Sequence, residues 1–549
     1  MLTTIGKNDE ALRTYYQARA DQERLAAAPG ATPDTRRDLG DPVNRIGRLL
    51  ANTGRPEEAM DGYRAALAIR QKLADAYPAV SEYQHALAAC HNNLGIVLLK
   101  TGRPKEAEAE YRTALAIRKK LVDGNPAVTE FRRQFQSSYF NLANLLRQTG
   151  RSKEAEASFR TALGIQRELA EANPNVPEFR RLLALNHQYL ATLLKDMGRP
   201  KEAEPEFHAA LAILGELVQS NPAVPQYRSD LASTHSDLGI LQAESGRTTE
   251  AEAEFRAGVE NGRKLVEASP TVTEYRDRLA TSHVNLGELL FDAGRSSESE
   301  PEYHAAETIF SDLAGANAGV TYYRFGLAYT KIRRGILLAQ SGRLKEAEAE
   351  LRAAAELDGD LARQSPKVPD YADGLAAAHT QLGDVLRASG RTKEARDAYD
   401  TAVANLERLV KENPGAVNFR VNLAMSLRRR GLARSGLGET AGASADLRKA
   451  IELLDAVPTR TPEQWYETAC GHASAATVSG TAGSGTSAGE ATNEMDTAML
   501  LLKKAVSLGF RRPDAVRTET ALDPLRNRGD FQLLLMDLAI PADPFAGPR

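Results

Sequence analysis

Cysteine is nearly absent from this 549-residue chain: Cys90 and Cys470 are the only two. They make no CxxC pair, so neither a disulfide framework nor a zinc site is expected, and a reduced, cytoplasmic setting fits. No apolar run approaches the ~18 residues needed to span a bilayer. The N-terminus, Met1 to Lys7, has no basic stretch followed by an apolar core, so no signal peptide is expected. An excess of one charge is also missing. The net charge is −3 with both signs interspersed, which argues against a nucleic-acid or anionic-membrane surface. With 26% charged and 42% hydrophobic residues, the chain should be ordered.

What the chain has in abundance is repetition. A Gly-Arg pair stands at Gly54-Arg55, Gly102-Arg103, Gly150-Arg151, Gly198-Arg199, Gly246-Arg247, Gly294-Arg295, Gly342-Arg343 and Gly390-Arg391, always 48 residues apart. One period earlier stands Gly6-Lys7, and one period later Gly438-Glu439. A fixed period of this size marks a solenoid, so the expectation is one long array rather than several globular domains.

The unit from Pro78 to Asn125 shows how each repeat is built. Pro78-Ala79-Val80-Ser81 breaks one helix and starts another, with Ser81 placed to cap it and Glu82 suited to a helix N-terminus. Tyr83, Leu87, Leu94, Leu98 and Leu99 then recur at helical spacing until Gly102 stops the helix. A second helix starts at Pro104 and presents Ala107, Tyr111, Ala114, Leu115, Ile117 and Leu121 on one face. Each unit is therefore a helical hairpin, helix A then helix B, each of about 20 residues or roughly 30 Å. A lone hairpin leaves an apolar face uncovered, so stacking on neighbours must complete the core.

The order Leu94-Gly95, Leu98, Gly102, Ala107, Tyr111, Ala114 resembles the tetratricopeptide repeat, and recurs at Leu238-Gly239 with Ala251 and Phe255, and at Leu286-Gly287 with Tyr303. The resemblance runs from residue 6 to about 460. It implies an all-α fold, a right-handed superhelix of stacked antiparallel hairpins, with helix A lining a concave groove. The family's usual unit is 34 residues, so the extra length fits about two added turns on each helix. Histidine often takes the place of the family's helix-A aromatic, at His91, His187, His235, His283 and His379.

Taken in order, residues 1–31 hold a helix B alone, whose uncovered face would permit self-association. Residues 32–460 hold nine helix pairs. Pro205 and Pro301 should kink their helices or delay their start. Asn317-Ala318-Gly319-Val320 lacks the usual proline, and Arg333-Arg334-Gly335 and Arg428-Arg429-Arg430-Gly431 put arginine before the glycine; these read as degenerate copies. Residues 461–509 read as a last, degenerate repeat, with a flexible Gly/Ser-rich loop at 477–492. Residues 510–549 read as a capping segment, with one terminal helix over 521–538. This ending resembles the tails of large bacterial serine/threonine protein kinases that carry such repeats, though no kinase motif is present.

No constellation for chemistry emerges. The five histidines sit one per unit, too far apart to share an ion, so packing or hydrogen bonding is expected and no metal. The glycines at 480–489 lack the strand and Gly-Lys-[Ser/Thr] of a phosphate loop. No cofactor and no catalytic residue is expected. The family resemblance places the contact residues just before the Leu-Gly pair of helix A: Asn92, Asn93, Asn141, Gln188, Tyr189, Asp237, Asn285, Arg333, Gln381, Arg428 and Arg429. Amides there suit a peptide backbone, and the arginines would make the later part of the row basic. The expected function is a non-catalytic scaffold that binds a protein or peptide in its groove. The alternative is the regulatory or substrate-docking part of a bacterial serine/threonine kinase.

Overall fold

A computed structural model describes residues 8–28, 32–52, 55–479, 481–510 and 512–539. It is all-α, with no strand among the described residues. The chain divides after Gly246 into two units. The first holds α1 (Asn8–Ala27), α2 (Pro33–Asn52), α3 (Pro56–Ala76), α4 (Ser81–Lys100), α5 (Pro104–Gly124), α6 (Thr129–Gln148), α7 (Ser152–Ala172), α8 (Pro177–Asp196), α9 (Pro200–Ser220) and α10 (Pro225–Glu244).

The second unit starts with α11 (Thr248–Ala268) and continues with α12 (Thr273–Asp292), α13 (Ser296–Ala316), α14 (Thr321–Gln340) and α15 (Leu344–Gln364). Next come α16 (Pro369–Ala388), α17 (Thr392–Glu412), α18 (Val417–Gly436), α19 (Thr440–Asp455), α20 (Pro462–Val478) and α21 (Ala488–Ser507). It ends with the short α22 (Pro513–Thr518), a 3-10 turn (Thr520–Leu525) and α23 (Gly529–Ala539).

Within each unit, consecutive helices pack as antiparallel hairpins, and the even-numbered helices also touch the next even-numbered helix. They form the inner row; the odd-numbered helices form the outer. The turn glycine explains the hairpin. Gly102 has φ +73°, the left-handed region where a side chain is strained. The N–H of Gly102 donates to the Leu99 carbonyl (3.1 Å) and that of Arg103 to Leu98 (2.9 Å), which closes the helix end as a Schellman motif. The same pair of bonds recurs at Gly150, Gly294, Gly342 and Gly390.

The arginine after that glycine has its own task. Arg151 grips Glu154 of its own repeat with Nε and Nη2 (2.7 and 2.6 Å) and reaches back with Nη1 to Glu108 of the repeat before (2.7 Å). Arg199–Glu156, Arg295–Glu252, Arg343–Glu300 and Arg391–Glu348 repeat this clamp. One repeat later the signs exchange: Arg396 stands in the glutamate's place and donates to Glu439, which stands in the arginine's (2.7 Å).

The Leu-Gly signature is a matter of space. A Cβ on Gly95 would lie 2.7 Å from the Tyr111 ring, and one on Gly383 2.4 Å from that of Tyr399. The rings fill the room the glycines leave, buried between the rows.

Several expectations need correction. Ser81 is the first residue of α4, and Val80 takes the capping position without a side-chain bond. Pro205 and Pro301 lie inside α9 and α13, which still begin at the usual places, Pro200 and Ser296. Each proline removes only one helical hydrogen bond. The turn without its proline is intact, with Val320 N–H on the Asn317 carbonyl (2.8 Å), as Val128 on Asn125 (3.1 Å). Arg334 and Arg430 do not mark decay. Arg334 and Lys331 share Glu307 of α13 and Glu350 of α15, and Arg430 holds Asp446 with two bonds (2.8 and 2.7 Å).

The glycine-rich connection is brief. Ser487 and Glu490 form a capping box that starts α21 at once, and buried Ser484 knits the turn through Thr481 and Thr486. The ending is not one helix over 521–538 but the 3-10 turn and α23. Phe510, Val516, Leu522, Leu525, Phe531 and Leu534 pack with α20 and α21 around Tyr466, Ala469 and Leu502.

Candidate functional site

The inner row carries the eleven residues singled out from the sequence. In the first unit most of them bond along the stack. Asn93 donates to Asn44 (3.2 Å), Asn141 to buried Asn92 (2.9 Å), and buried Gln188 to Asp237 (2.7 Å). Each pair joins neighbouring inner helices 49 residues apart in sequence. Tyr189 continues the series with rings in place of amides: it meets Phe140 edge-on at 4.8 Å and is the most exposed of the group.

In the second unit the same places behave differently. Asn285 is half-buried on α12. Arg333 lies against Glu288 (3.0 Å) and over the Phe291 ring, and Arg429 lies against Asp384 (3.0 Å), which also accepts from the Tyr399 hydroxyl (2.7 Å). Arg428 is 2% exposed and faces two carboxylates, Glu467 and Glu519, each at 3.3 Å. The row is therefore not a free basic surface: these arginines are neutralised where they stand. Burial alone would push the Glu519 carboxyl up, but Arg428 and the Ala521 N–H hold it down at about 2.

Gln381, Arg428 and Arg429 are brought together in a cavity of about 500 Å³. Gln340, Asp384, Arg387, Glu467, Arg512 and Glu519 also belong to its polar lining. No local pattern marks these six, because the cavity forms only where the C-terminal segment returns to the inner row. Arg512 donates to Asp292 (2.6 Å), 220 residues away, and Glu519 meets Arg428. Between these two anchors α22 lies across the inner face, and a second cavity of about 440 Å³ opens beside it, against Phe291, Asp292 and Ser296. Arg387, Gln340 and Gln381 make no side-chain hydrogen bond or ion pair among the described residues, so their donors face the larger cavity unspent.

The histidines pair within their hairpins. His91, His187 and His283 meet Glu110, Glu206 and Glu302, each at 2.5 Å. His379 finds Ala398 at the corresponding place, and burial holds its pKa below the usual histidine value. Among the described residues no three His, Cys, Asp or Glu side chains gather as metal ligands. Nor is any described helix long and apolar enough to cross a membrane.

Comparison with known proteins agrees with this architecture. Tetratricopeptide repeat models match residues 42–120, 136–169, 232–257, 328–353 and 376–401. Those five stretches thus match tetratricopeptide repeats. No curated protein sequence matches it. Among solved structures it is similar to RapI in its apo form, at 14% identity and TM-score 0.45, over 74% of this chain and 98% of that one. It is also similar to BtubC from P. vanneervenii, at 20% identity and TM-score 0.38, over 47% and 92% of the two chains. A tetratricopeptide repeat protein from Parabacteroides merdae matches at 17% identity and TM-score 0.32, over 61% and 97%.

Proposed function

We propose that this chain is a non-catalytic scaffold that binds a protein or peptide on its inner row, with the main seat in the second unit. One observation carries the reading. A cavity of about 500 Å³ draws amide and guanidinium donors from α14, α16 and α18 to one place, and Gln340, Gln381 and Arg387 are not spent on internal partners. Its volume lies within the roughly 300–1,000 Å³ of sites that hold small ligands or short segments. Amides recognise a peptide backbone without demanding charge, and a lone guanidinium selects a carboxylate. In the first unit, exposed Tyr189 is the residue of the eleven left most available for contact. The two thiols, Cys90 and Cys470, are buried and not joined in a disulfide, which supports a reducing compartment such as the cytoplasm. The reading as a docking tail of a serine/threonine kinase rests on sequence resemblance alone.

The test is to pan a random-peptide display library against the whole chain and titrate a selected peptide. The Gln381→Ala, Arg387→Ala double variant should weaken binding by about tenfold or more, the equivalent of ~1.4 kcal/mol. Unchanged affinity in that variant would place the peptide elsewhere and remove this site.

A further inference from the structure

The C-terminal segment does two things at once. Its apolar residues, Phe510, Val516 and Leu522, belong to the cap on α20 and α21. Its charged residues reach across the inner face: Arg512 to Asp292 at one end, Glu519 to Arg428 at the other. The caps of stacked repeats need the first of these contacts to shield the final apolar face. They do not need the second.

We infer that the stretch from Arg512 to Glu519 is an internal stand-in for a ligand. The external partner would be a short peptide that carries a basic residue and, seven positions later, an acidic one. This rests on the inner row of the second unit being the binding face, and it specifies what binds there and what must first leave.

The chemistry of Arg428 sets the rule for exchange. Arg428 is 2% exposed, and among the described residues its acidic partners are Glu467 and Glu519, both at the long distance of 3.3 Å, with Nε unpartnered. If Glu519 withdrew and nothing replaced it, a buried cation would keep one carboxylate for five donors, which is strongly unfavourable. Another carboxylate is the group that can take the place of Glu519 while Arg428 stays covered.

At the other end the bond between Arg512 and Asp292 is on the rim, both side chains being half exposed. Asp292 can pass from one guanidinium or ammonium to another at little cost. Between the anchors α22 is only six residues long, under two turns, so a peptide of similar length spans the same distance. Arg387, without an ion pair among the described residues, gives the entering carboxylate a first point of attraction at the cavity wall.

The probe is a fluorescent synthetic peptide with the sequence of residues 510–526, titrated against the full chain by polarisation. The chain's own copy competes, so binding to the wild type should be weak. In the Arg512→Ala, Glu519→Gln double variant the internal copy is weakened, and the peptide should bind at least tenfold more tightly. A peptide with glutamine in place of the residue corresponding to Glu519 should lose that gain. Hydrogen exchange should show the amides of 513–518 exposed when the peptide binds, with α20 and α21 as protected as before. Equal affinity for wild type and double variant, or binding that leaves 513–518 protected, would overturn the inference. If a library-selected peptide still depends on Gln381 while 513–518 stays protected, the binding face stands and the stand-in falls. If the double variant has 513–518 exposed and still binds no probe peptide, the segment is only a cap.

Discussion

On the inner row of the first unit, the places just before the Leu-Gly pair hold Asn92, Asn93, Asn141, Gln188 and Tyr189. On that of the second they hold Arg333, Gln381, Arg428 and Arg429. The first set pairs helix to helix with amide bonds and one ring contact. Of the second set, Arg333 and Arg429 pair with acids on the same row, each across 45 residues, to Glu288 and Asp384; Arg428 meets Glu467 and Glu519, and Gln381 faces the cavity. Amide-donated pairs between neighbours, to Asn44, Asn92 and Asp237, tie the stack together and leave little to offer. Charged pairs at a cavity can be exchanged for other charged groups. The same fold thus makes one row a seam, and on the proposed function the other is the seat.

A second contrast lies in the core, at the place sixteen residues after each turn glycine. In one repeat of the first unit Arg118 fills it, 2% exposed, and donates to the Gln134 carbonyl (2.9 Å) and Ser138 (2.7 Å). In one repeat of the second unit Asp358 fills it, 1% exposed, with Oδ1 unpartnered and burial as the cause that raises its pKa. Gly374 makes the room, since a Cβ there would fall 2.6 Å from the carboxylate.

Breaking the first of these should have the largest effect. Arg118→Ala leaves a void and two stranded acceptors, and should cost about 3–5 kcal/mol in urea unfolding of the first unit. Asp358→Leu should do the reverse, raising the stability of the second unit at pH 8 by about 2–4 kcal/mol.

The pH dependence separates Asp358 from Glu519. Burial raises the Asp358 carboxyl from 3.8 to about 7, so the folded state holds its proton more tightly than the unfolded state. Wild-type stability should fall as pH rises from 4 towards 7, and the Asp358→Leu variant should lose that slope. Glu519 acts in the opposite sense. Its folded value is depressed from 4.5 to about 2, so its contribution is present above about pH 4.5 and fades as pH falls towards 2. Hydrogen exchange at 513–518 should report that loss.

Next in size is Gly383→Ala, which drives a methyl into the Tyr399 ring and should cost about 1–3 kcal/mol; Gly95→Ala, with slightly more room at Tyr111, should cost no more. A double-mutant cycle on Asn92→Ala and Asn141→Ala should return a coupling of about 0.5–1.5 kcal/mol, the measure of one link in the seam.

The smallest effect should come from the exposed clamps. Arg343→Glu should lower the unfolding midpoint slightly, and Glu300→Arg added to it should restore the midpoint, as the natural exchange at Arg396 and Glu439 implies. Failure of that rescue would mean that the clamp sign matters only with its local neighbours.

The repeat, its two helices and the turn glycine were legible because each depends on contacts within about 48 residues of one chain pattern. The Tyr111 ring over Gly95 could be read as large against small. The partners of the turn arginines were harder, since Arg151 and Glu108 meet only once two hairpins are in register. The row arginines misled for a related reason. Arg333, Arg428 and Arg429 resemble a basic surface when their own helix is read alone, and their acids lie on other helices. The cavity was not legible at all. It needs Arg512 brought to Asp292 across 220 residues, and no local pattern encodes that return.

The most direct measurement is to map, by hydrogen exchange on the full chain, where a library-selected peptide gives protection. The account predicts protection at α14, α16 and α18 around Gln340, Gln381 and Arg387, with the seam around Asn92 and Asn141 unchanged. Protection confined to α4, α6 and α8 would contradict it.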